Sequence, residues 1–331
     1  AIKLFHTQDL TAARREAVER EARVHVTLFL YVQRFVLQLH GLREGGCDMV
    51  MERAQCTLHS LVHPPQRPPP RSTMRWQDVP RSDVLRQVLP LYVQLAGGLH
   101  CIHRLGMAHG DVKPSNVFLV GHADSWQVKI GDMGLVLEAS DVATSRQGSL
   151  PYMAPELHAG DKQSSPGERS AVDMYAFGVM LNEALTGLPP WAHAPPRTVV
   201  LAVHKQSERP RMWVQRGSKG AMGVHPCPEL DGELLRALPP LVEACWHQQP
   251  SRRPAAKEAM ERLAALLPLL RQAPSGGDGT RQPRSADEEA MVQTLADFIH
   301  GLCRNLTHAR AREAAEVAAD HGTMSAERLQ L

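Results

Sequence analysis

The chain has 331 residues, of which 43% are hydrophobic and 22% charged, and its formal net charge is +2 at pH 7. This length suits one large two-lobed domain or two ordinary domains, with a composition typical of globular proteins. The near-neutral charge argues against nucleic acid as a partner. No apolar run approaches the roughly 18 residues of a membrane helix, so we expect no membrane contact from this chain. Six widely spaced cysteines without a CxxC pair indicate reduced thiols and a cytoplasmic location.

The first fifty or so residues are predicted to form three strands and one helix. A short apolar run at 1–5 indicates a strand, and residues 11–28, rich in Ala, Arg and Glu, indicate a helix. The runs 35–42 and 47–54 indicate two strands divided by the Gly-rich turn REGG.

A proline-rich stretch, HPPQRPPPRS at 63–72, interrupts this pattern. Five prolines in ten residues exclude a helix or the interior of a sheet. We interpret the stretch as a surface insertion. The alternative is a docking segment for a Pro-recognition domain.

The rest of the chain is predicted to be mainly helical. Apolar residues at helical spacing predict a long buried helix over 82–104, which leads directly into the segment HGDVKPSN. Two short strands, NVFLV and WQVKIGD, follow that segment. Further helices are predicted at 170–187, 232–246 and 254–272. Small early strands followed by helices favour an α+β protein with a larger helical half.

The C-terminal part is predicted to be a linker followed by an amphipathic helix. Residues 274–284 have the Gly, Pro and Ser content of a flexible linker. Ser285 and Glu288 then form a capping-box pattern that opens the helix. Its apolar stripe packs on its own domain in the simpler interpretation and binds a partner in the alternative.

The segment HGDVKPSN at 109–116 gathers an acid, a lysine and an asparagine within a few residues. Alone, it also fits a polar turn after a helix. Four further unusual segments follow it in order: KIGDMGL, GSLPYMAPEL, SAVDMYAFGVMLNEALTGLPPW and ACWHQQPSRRP.

This order of segments resembles the catalytic domain of eukaryotic protein kinases, over about residues 1–270. The resemblance implies a two-lobed α+β fold, ATP and Mg²⁺ as cofactors, and a protein substrate. It divides the chain into a partial small lobe at 1–57, a large lobe at 58–272 that contains the Pro-rich insertion, and the C-terminal region at 273–331.

The chemistry of phosphoryl transfer accounts for the motif residues. Transfer from ATP requires metal ions clamped between phosphates, positive charge on the migrating group and an acceptor hydroxyl held in line. Asp132 is a hard oxygen ligand for Mg²⁺, and Asn116 supplies a neutral oxygen to a second ion. Asp111 accepts the proton of the substrate hydroxyl. Lys113 reaches the γ-phosphate as a point charge.

The resemblance assigns Lys3, in AIK, to the strand whose lysine binds the α- and β-phosphates. Family members pair this lysine with a helix glutamate. Glu21 is our choice for that partner, with Glu19 and Glu16 as alternates.

The resemblance also outlines the adenine pocket. Met51 corresponds to the residue at the back of the pocket, and Glu52 and Ala54 present backbone groups to the adenine edge. Phe118 covers its lower face. Plain core packing of Met51 and Phe118 is compatible with this assignment.

Several further matches are structural. Glu156 resembles the acid that pairs with a buried arginine, here Arg253. Asp173 resembles the acid that hydrogen-bonds the backbone of the catalytic loop. His109 and Met133 resemble the stacked core residues behind the site.

The motifs also bear on substrate class. Lys113, together with Ser149, resembles serine/threonine kinases, and the CW…P..RP and DMYAFGVMLNE patterns resemble the tyrosine-kinase-like group. A pseudokinase-like binding scaffold is the main alternative, and a small-molecule kinase is a weaker one. Because family members carry a Gly-rich loop on two strands before the lysine strand, we expect the chain to be a fragment of a longer protein.

Gly110 stands where most family members carry an arginine that binds a phosphate on the activation segment. Without this arginine, phosphorylation of Ser140, Thr144 or Ser145 is expected to have little effect on the rate. The alternative is that glycine relaxes the turn and another cation substitutes.

Overall fold

The computed structural model describes residues 2–3, 12–42, 48–63, 81–121, 125–136, 148–159, 166–192, 194–210 and 232–271. Four of the predictions above lie outside these ranges. They concern the turn at 43–46, the Pro-rich stretch beyond His63, the hydroxyls at 140, 144 and 145, and the linker and helix after 271.

Three short antiparallel strands and one long helix form the first part of the structure. The strands are β1 (Ile2–Lys3), β2 (Leu39–Leu42) and β3 (Met49–Met51), in the sheet order β1-β3-β2. The helix α1 (Ala12–Val32) buries its apolar face against this sheet and against the larger part of the molecule. The predicted strand, helix and two strands are therefore all present.

The strand predicted at 35–42 is shorter than expected, because its first residues join the two parts of the molecule. The Ile130 amide donates to the Phe35 carbonyl at 2.6 Å, and the Leu37 amide donates to the Ile130 carbonyl at 3.0 Å. Phe35, Val36 and Leu37 are almost fully buried there. The Phe35 carbonyl and the Leu37 amide are thus paired with Ile130, and β2 proper begins only at Leu39.

The structure has a second antiparallel sheet, which the segment at 35–37 joins through Ile130. It consists of β4 (Cys56–Thr57), β5 (Val117–Val120) and β6 (Gln127–Ile130), in the order β4-β5-β6. β5 and β6 are the two strands predicted after HGDVKPSN, and they pair with each other, with Val117 opposite Ile130. Asn116 directly precedes β5, and Asp132 follows two residues after the end of β6, so this pairing brings the two residues to the same end of the strands.

The larger part of the molecule is helical, as predicted. Its helices are α2 (Leu58–Val62), α3 (Arg81–Arg104), α4 (Pro155–Ala159), α5 (Pro166–Thr186), α6 (Pro196–Val200), α7 (Gly232–Cys245) and α8 (Ala256–Leu266). Short 3-10 turns cover 114–116, 133–135, 150–152, 250–252 and 267–271, and a π-helical turn covers 201–205. Two small sheets beside a helical bulk confirm the two-lobed α+β fold. The domain boundary at residues 57–58 stays a prediction.

The long helices α3 and α5 form the centre of the core. Leu95, Leu99, Phe177 and Met180 are fully buried, and the Tyr92 hydroxyl donates to the Met180 carbonyl at 2.6 Å. The apolar spacing over 82–104 therefore predicted α3 correctly. α5 is buried along most of its length, and its two buried acids, Asp173 and Glu183, bond polar groups inside the protein.

Helix ends and short helices depart from prediction for local reasons. The helix predicted over 254–272 is α-helical only from Ala256 to Leu266 and continues as a 3-10 turn. Pro268 lies in that turn and has no amide hydrogen for an α-helical bond. The five-residue helices α2, α4 and α6 were not predicted, since a single turn shows no readable periodicity.

Candidate active site

Asp173 of α5 anchors the loop that carries the predicted catalytic acid. Its carboxylate is 1% exposed and accepts hydrogen bonds from the amides of His109 at 2.8 Å and Gly110 at 2.9 Å. The same carboxylate lies 2.8 Å from Nε2 of His103. His109 is itself fully buried, with Nε2 3.0 Å from the Gly131 carbonyl oxygen. The predicted role of Asp173 is confirmed, and the loop is fixed relative to the strand that ends before Asp132.

Gly110 has a backbone conformation that requires glycine. Its φ is +79°, in the left-handed region, and a Cβ there would lie 2.4 Å from the Leu135 carbonyl oxygen. The interpretation that glycine relaxes the turn is thus supported by geometry. Whether phosphorylation of the activation segment affects the rate stays a prediction.

Asp111 lies at the centre of a compact polar cluster. Its Oδ2 accepts a hydrogen bond from Lys113 Nζ at 2.5 Å, and its Oδ1 accepts one from the Ser149 amide at 2.8 Å. The Asn116 amide donates to the Asp111 backbone carbonyl at 2.9 Å and to Oδ2 at 3.2 Å. Lys113 Nζ also donates to the Ser149 hydroxyl at 2.7 Å. The structure therefore brings together the three predicted catalytic residues and adds Ser149.

This cluster keeps Asp111 ionised. Burial alone would raise the pKa of the Asp111 carboxyl, but the hydrogen bond and charge of Lys113, with the donors of Ser149, lower the pKa below its ordinary value. A carboxylate that is ionised at neutral pH and partly shielded from water is suited to accept a proton or to orient a hydroxyl.

Asn116 and Asp132 carry the oxygen atoms that magnesium prefers, and the two segments that bear them are adjacent. The Gly131 amide donates to the Asn116 carbonyl at 3.0 Å, which holds the two segments side by side. The Asn116 amide nitrogen is directed at Asp111, which leaves its side-chain oxygen as the group for a metal. Asp132 has φ +65° and ψ +73°, and a Cβ on Gly134 would lie 3.7 Å from its Oδ1 and 3.1 Å from Glu21 Oε2. Glycine at 134 therefore leaves the space beside both carboxylates open.

Among the three candidate glutamates of α1, only Glu21 faces the interior. Glu21 is 6% exposed and lies against the turn at 133–135, whereas Glu16 is exposed and Glu19 is half-buried. His25, one turn later, is fully buried and its Nε2 is bonded to the Leu37 carbonyl. This contact ties α1 to the segment that precedes β2.

Lys3 is described only by its backbone. Its Cα lies opposite that of Met49 in the register of β1 and β3. This register puts the predicted phosphate-binding strand beside the strand that ends at Met51. The pairing of Lys3 with Glu21 stays a prediction.

The predicted adenine-pocket residues share one small apolar cluster. Met51 is 7% exposed, and Ala54 and Phe118 pack with it, together with Val18, Ala22, Leu37 and Met49. The Glu52 amide donates to the Gln38 carbonyl at 2.8 Å. Because the Glu52 amide is already bonded, the predicted contact with adenine would use the Glu52 carbonyl oxygen. The contact of Met51, Glu52, Ala54 and Phe118 with a nucleotide stays a prediction.

The predicted pairing of Glu156 with Arg253 is confirmed. Arg253 donates two hydrogen bonds to the Glu156 carboxylate, at 2.6 and 2.8 Å, and its guanidinium lies 5.1 Å from the centre of the Tyr175 ring. It also donates to the Ala171 carbonyl at 2.8 Å. This bidentate pair links the segment after Ser149 to α5 and to the loop before α8. His109 and Met133 are both fully buried, as expected for core residues behind the site.

A second polar cluster was not predicted from the sequence. Glu183 of α5 is 1% exposed; its Oε2 accepts a hydrogen bond from the Tyr152 hydroxyl at 2.8 Å, and its Oε1 lies 2.7 Å from His63 Nε2. The only signal in the sequence was the spacing of His59 and His63, four residues apart beside a short helix. That spacing gives no indication of a partner 120 residues away.

The family model described as "Protein kinase domain" matches residues 1–263. The chain belongs to the protein kinase domain family.

Curated relatives agree with this family at low identity. The chain is 29% identical over 310 residues to the probable serine/threonine-protein kinase pknA2 of Bifidobacterium longum, covering 90% of this chain and 36% of that protein. It is 33% identical over 175 residues to a probable serine/threonine-protein kinase of Dictyostelium discoideum, covering 52% of this chain and 16% of that protein. The dual specificity protein kinase shkC of the same organism is 26% identical over 333 residues, covering 94% of this chain and 55% of that protein.

These matches span only part of the relatives. The chain covers between 10% and 36% of the length of the first three curated relatives. Among the described residues, no helix combines the length and the apolar character needed to cross a membrane.

Proposed function

We propose that this chain is the catalytic domain of an ATP-dependent protein serine/threonine kinase. Its reaction is transfer of the ATP γ-phosphate to the hydroxyl of a serine or threonine in a protein substrate. The observation that carries the proposal is the Asp111 carboxylate, held ionised by Lys113 and Ser149 on a loop fixed by Asp173.

In this proposal the loop residues have different roles in a single in-line displacement at the γ-phosphorus. A substrate hydroxyl hydrogen-bonded to Asp111 attacks the γ-phosphorus and gives its proton to the carboxylate. The bond between the γ-phosphorus and the bridging oxygen breaks, and ADP leaves with the electron pair. Lys113, 2.5 Å from Asp111, places a positive charge where negative charge builds on the migrating group.

The Asp132 carboxylate would hold one Mg²⁺, and the Asn116 side-chain oxygen would be a ligand of a second ion. When bound, the metal neutralises the phosphate oxygens and orients the γ-phosphoryl group. On the protein side, the contact between the Gly131 amide and the Asn116 carbonyl keeps the two ligands together.

The nucleotide occupies the cleft between the two lobes in this proposal. Lys3 binds the α- and β-phosphates and is held by Glu21, the buried glutamate of α1. Met51, Ala54 and Phe118 surround the adenine ring, and the Glu52 carbonyl and the Ala54 backbone bind its edge. The shared apolar cluster of these side chains supports this assignment.

Serine and threonine are the proposed acceptors. The hydrogen bond from Lys113 to the Ser149 hydroxyl joins the two residues on which this specificity rests. The sequence patterns around α5 and α8 place the domain, in our proposal, with the tyrosine-kinase-like group. Phosphoamino-acid analysis is expected to show phosphoserine and phosphothreonine, and predominant phosphotyrosine would contradict the assignment.

The decisive experiment replaces the carboxylate of Asp111 with an amide. In a purified protein that contains this chain, Asp111→Asn is expected to lower radiolabel transfer to a protein acceptor at least about a hundredfold. Mg-ATP binding is expected to persist, because Lys3, Asn116 and Asp132 are unchanged. The matched control is Glu261→Gln, on the exposed face of α8, which is expected to keep full activity.

Two results would contradict this mechanism. Undiminished transfer by Asp111→Asn would remove Asp111 from it. Absence of both transfer and Mg-ATP binding in the unmodified protein would favour the binding-scaffold alternative instead.

A further inference from the structure

Two histidines and a glutamate meet outside the proposed catalytic cluster. His59 lies in α2, His63 directly follows that helix, and Glu183 lies in α5. One ligand atom from each of the three lies within 4.8 Å of the others. The catalytic mechanism uses none of these residues.

We propose that His59, His63 and Glu183 form a binding site for a divalent transition metal ion of the Zn²⁺ type. The ion would have two imidazole nitrogens and one carboxylate oxygen as ligands. This donor set suits zinc and its transition-metal neighbours rather than Mg²⁺ or Ca²⁺, which prefer oxygen ligands alone.

The distances fit such an ion after small side-chain movements. Tetrahedral zinc with bonds of about 2.0–2.1 Å separates its ligand atoms by about 3.3 Å. His63 Nε2 and Glu183 Oε1 are 2.7 Å apart, and the full set lies within 4.8 Å. The distance between His63 Nε2 and Glu183 Oε1 must therefore increase slightly, and the His59 ring must move towards them. Both changes require only rotation of side chains.

Glu183 is already oriented for this role. It is 1% exposed, and the Tyr152 hydroxyl donates to its Oε2 at 2.8 Å, which leaves Oε1 directed at His63. A hydrogen bond that orients a ligating carboxylate is a usual feature of metal sites.

The two histidines are held close together by the end of α2. The His63 amide donates to the His59 carbonyl at 2.8 Å, and the two ring centres are 5.1 Å apart. His63 is half-buried and His59 exposed, so an ion would enter from the His59 side and keep one position for water. With three protein ligands, the bound ion would tie α2 to α5.

The same site touches the segment that leads to the catalytic cluster. The Tyr152 amide donates to the Ser149 carbonyl at 2.9 Å, and the Ser149 amide and hydroxyl contact Asp111 and Lys113. An ion on Glu183 would therefore lie one side chain away from the segment at 149–152.

The test measures metal binding directly and does not depend on kinase activity. Metal-free protein, prepared with a chelator, is titrated with Zn²⁺ in competition with a chromogenic chelator. His59→Ala is expected to remove one equivalent of binding or to weaken it at least about tenfold, since loss of an outer-shell partner alone typically weakens metal binding 10–100-fold. His63→Ala is expected to have the same effect. Because His59 is exposed, its replacement is not expected to affect folding.

The matched control is His40→Ala, which replaces an exposed histidine of β2, in the first sheet and outside the cluster. It is expected to leave the high-affinity equivalent unchanged. A second readout is the melting temperature, which Zn²⁺ is expected to raise in the unmodified protein and in His40→Ala but not in His59→Ala. An excess of Mg²⁺ is expected not to compete.

Two outcomes would overturn the proposal. One is the absence of Zn²⁺ binding to the metal-free protein. The other is binding that is unchanged by both His59→Ala and His63→Ala, which would place the ion on other histidines and leave His63 and Glu183 as a simple hydrogen-bonded pair.

Discussion

Two buried acids of the same helix, Asp173 and Glu183, organise two different polar clusters. Both are 1% exposed, and about 15 Å of helix separates them. Asp173 accepts hydrogen bonds from the backbone amides of His109 and Gly110 in addition to its contact with the His103 imidazole, whereas Glu183 contacts the side chains of Tyr152 and His63.

The two clusters differ in how freely the groups bonded to each acid can change their orientation. Backbone amides of a tight loop have no alternative orientation, so Asp173 fixes the loop in one position. A phenol and an imidazole can turn about their side-chain bonds, so the contacts of Tyr152 and His63 with Glu183 can rearrange. The first cluster is thus suited to hold a catalytic geometry, and the second is suited to accept a ligand.

Removal of the Asp173 carboxylate tests the first half of this comparison and is expected to have the largest effect. Asp173→Ala leaves two buried amides without their acceptor, at about 1–3 kcal/mol each. We expect the free energy of unfolding to fall by about 2–6 kcal/mol in urea titrations, with loss of phosphate transfer. The control Glu261→Gln is expected to change it by less than about 0.5 kcal/mol. A loss below about 1 kcal/mol for Asp173→Ala would show that the loop is held by other contacts.

A side chain at Gly110 tests whether the same loop tolerates movement. Gly110→Ala forces alanine into the left-handed region, at about 1–2 kcal/mol, and drives its Cβ towards the Leu135 carbonyl. We expect a stability loss of about 2 kcal/mol and slower transfer. The matched control is Gly167→Ala in the first turn of α5, where the added Cβ meets no atom within 4 Å. Equal effects of the two substitutions would contradict a rigid catalytic loop.

Loss of one hydroxyl sharpens the second half of the comparison and is expected to have the smallest effect. Tyr152→Phe removes the hydrogen bond to Glu183 Oε2 but leaves Oε1 beside His63. Because His63 remains as a partner of Glu183 and the other side chains readjust, we expect the free energy of unfolding to fall by about 1 kcal/mol. The measurement is the decrease in melting temperature. A loss as large as that of Asp173→Ala would mean that both clusters are equally rigid.

The sequence predicted the parts of this protein that depend on short-range pattern. Apolar spacing over 82–104 located α3, since a helix that buries one face repeats its apolar residues every three to four positions. HGDVKPSN located the polar cluster around Asp111, because Asp111, Lys113 and Asn116 are neighbours in the chain as well as in space. The pairing of Glu156 with Arg253 followed from ordered motifs rather than from spacing alone.

Only the tertiary structure decided what depends on distant segments. The choice of Glu21 over Glu16 and Glu19 needed the rotation of α1 about its axis, which its mixed apolar pattern leaves undefined. The requirement for glycine at 110 needed the position of the Leu135 carbonyl. The cluster of His63, Tyr152 and Glu183 joins residues up to 120 positions apart. Such contacts are set by how the helices pack, and local sequence preferences carry no information about that packing.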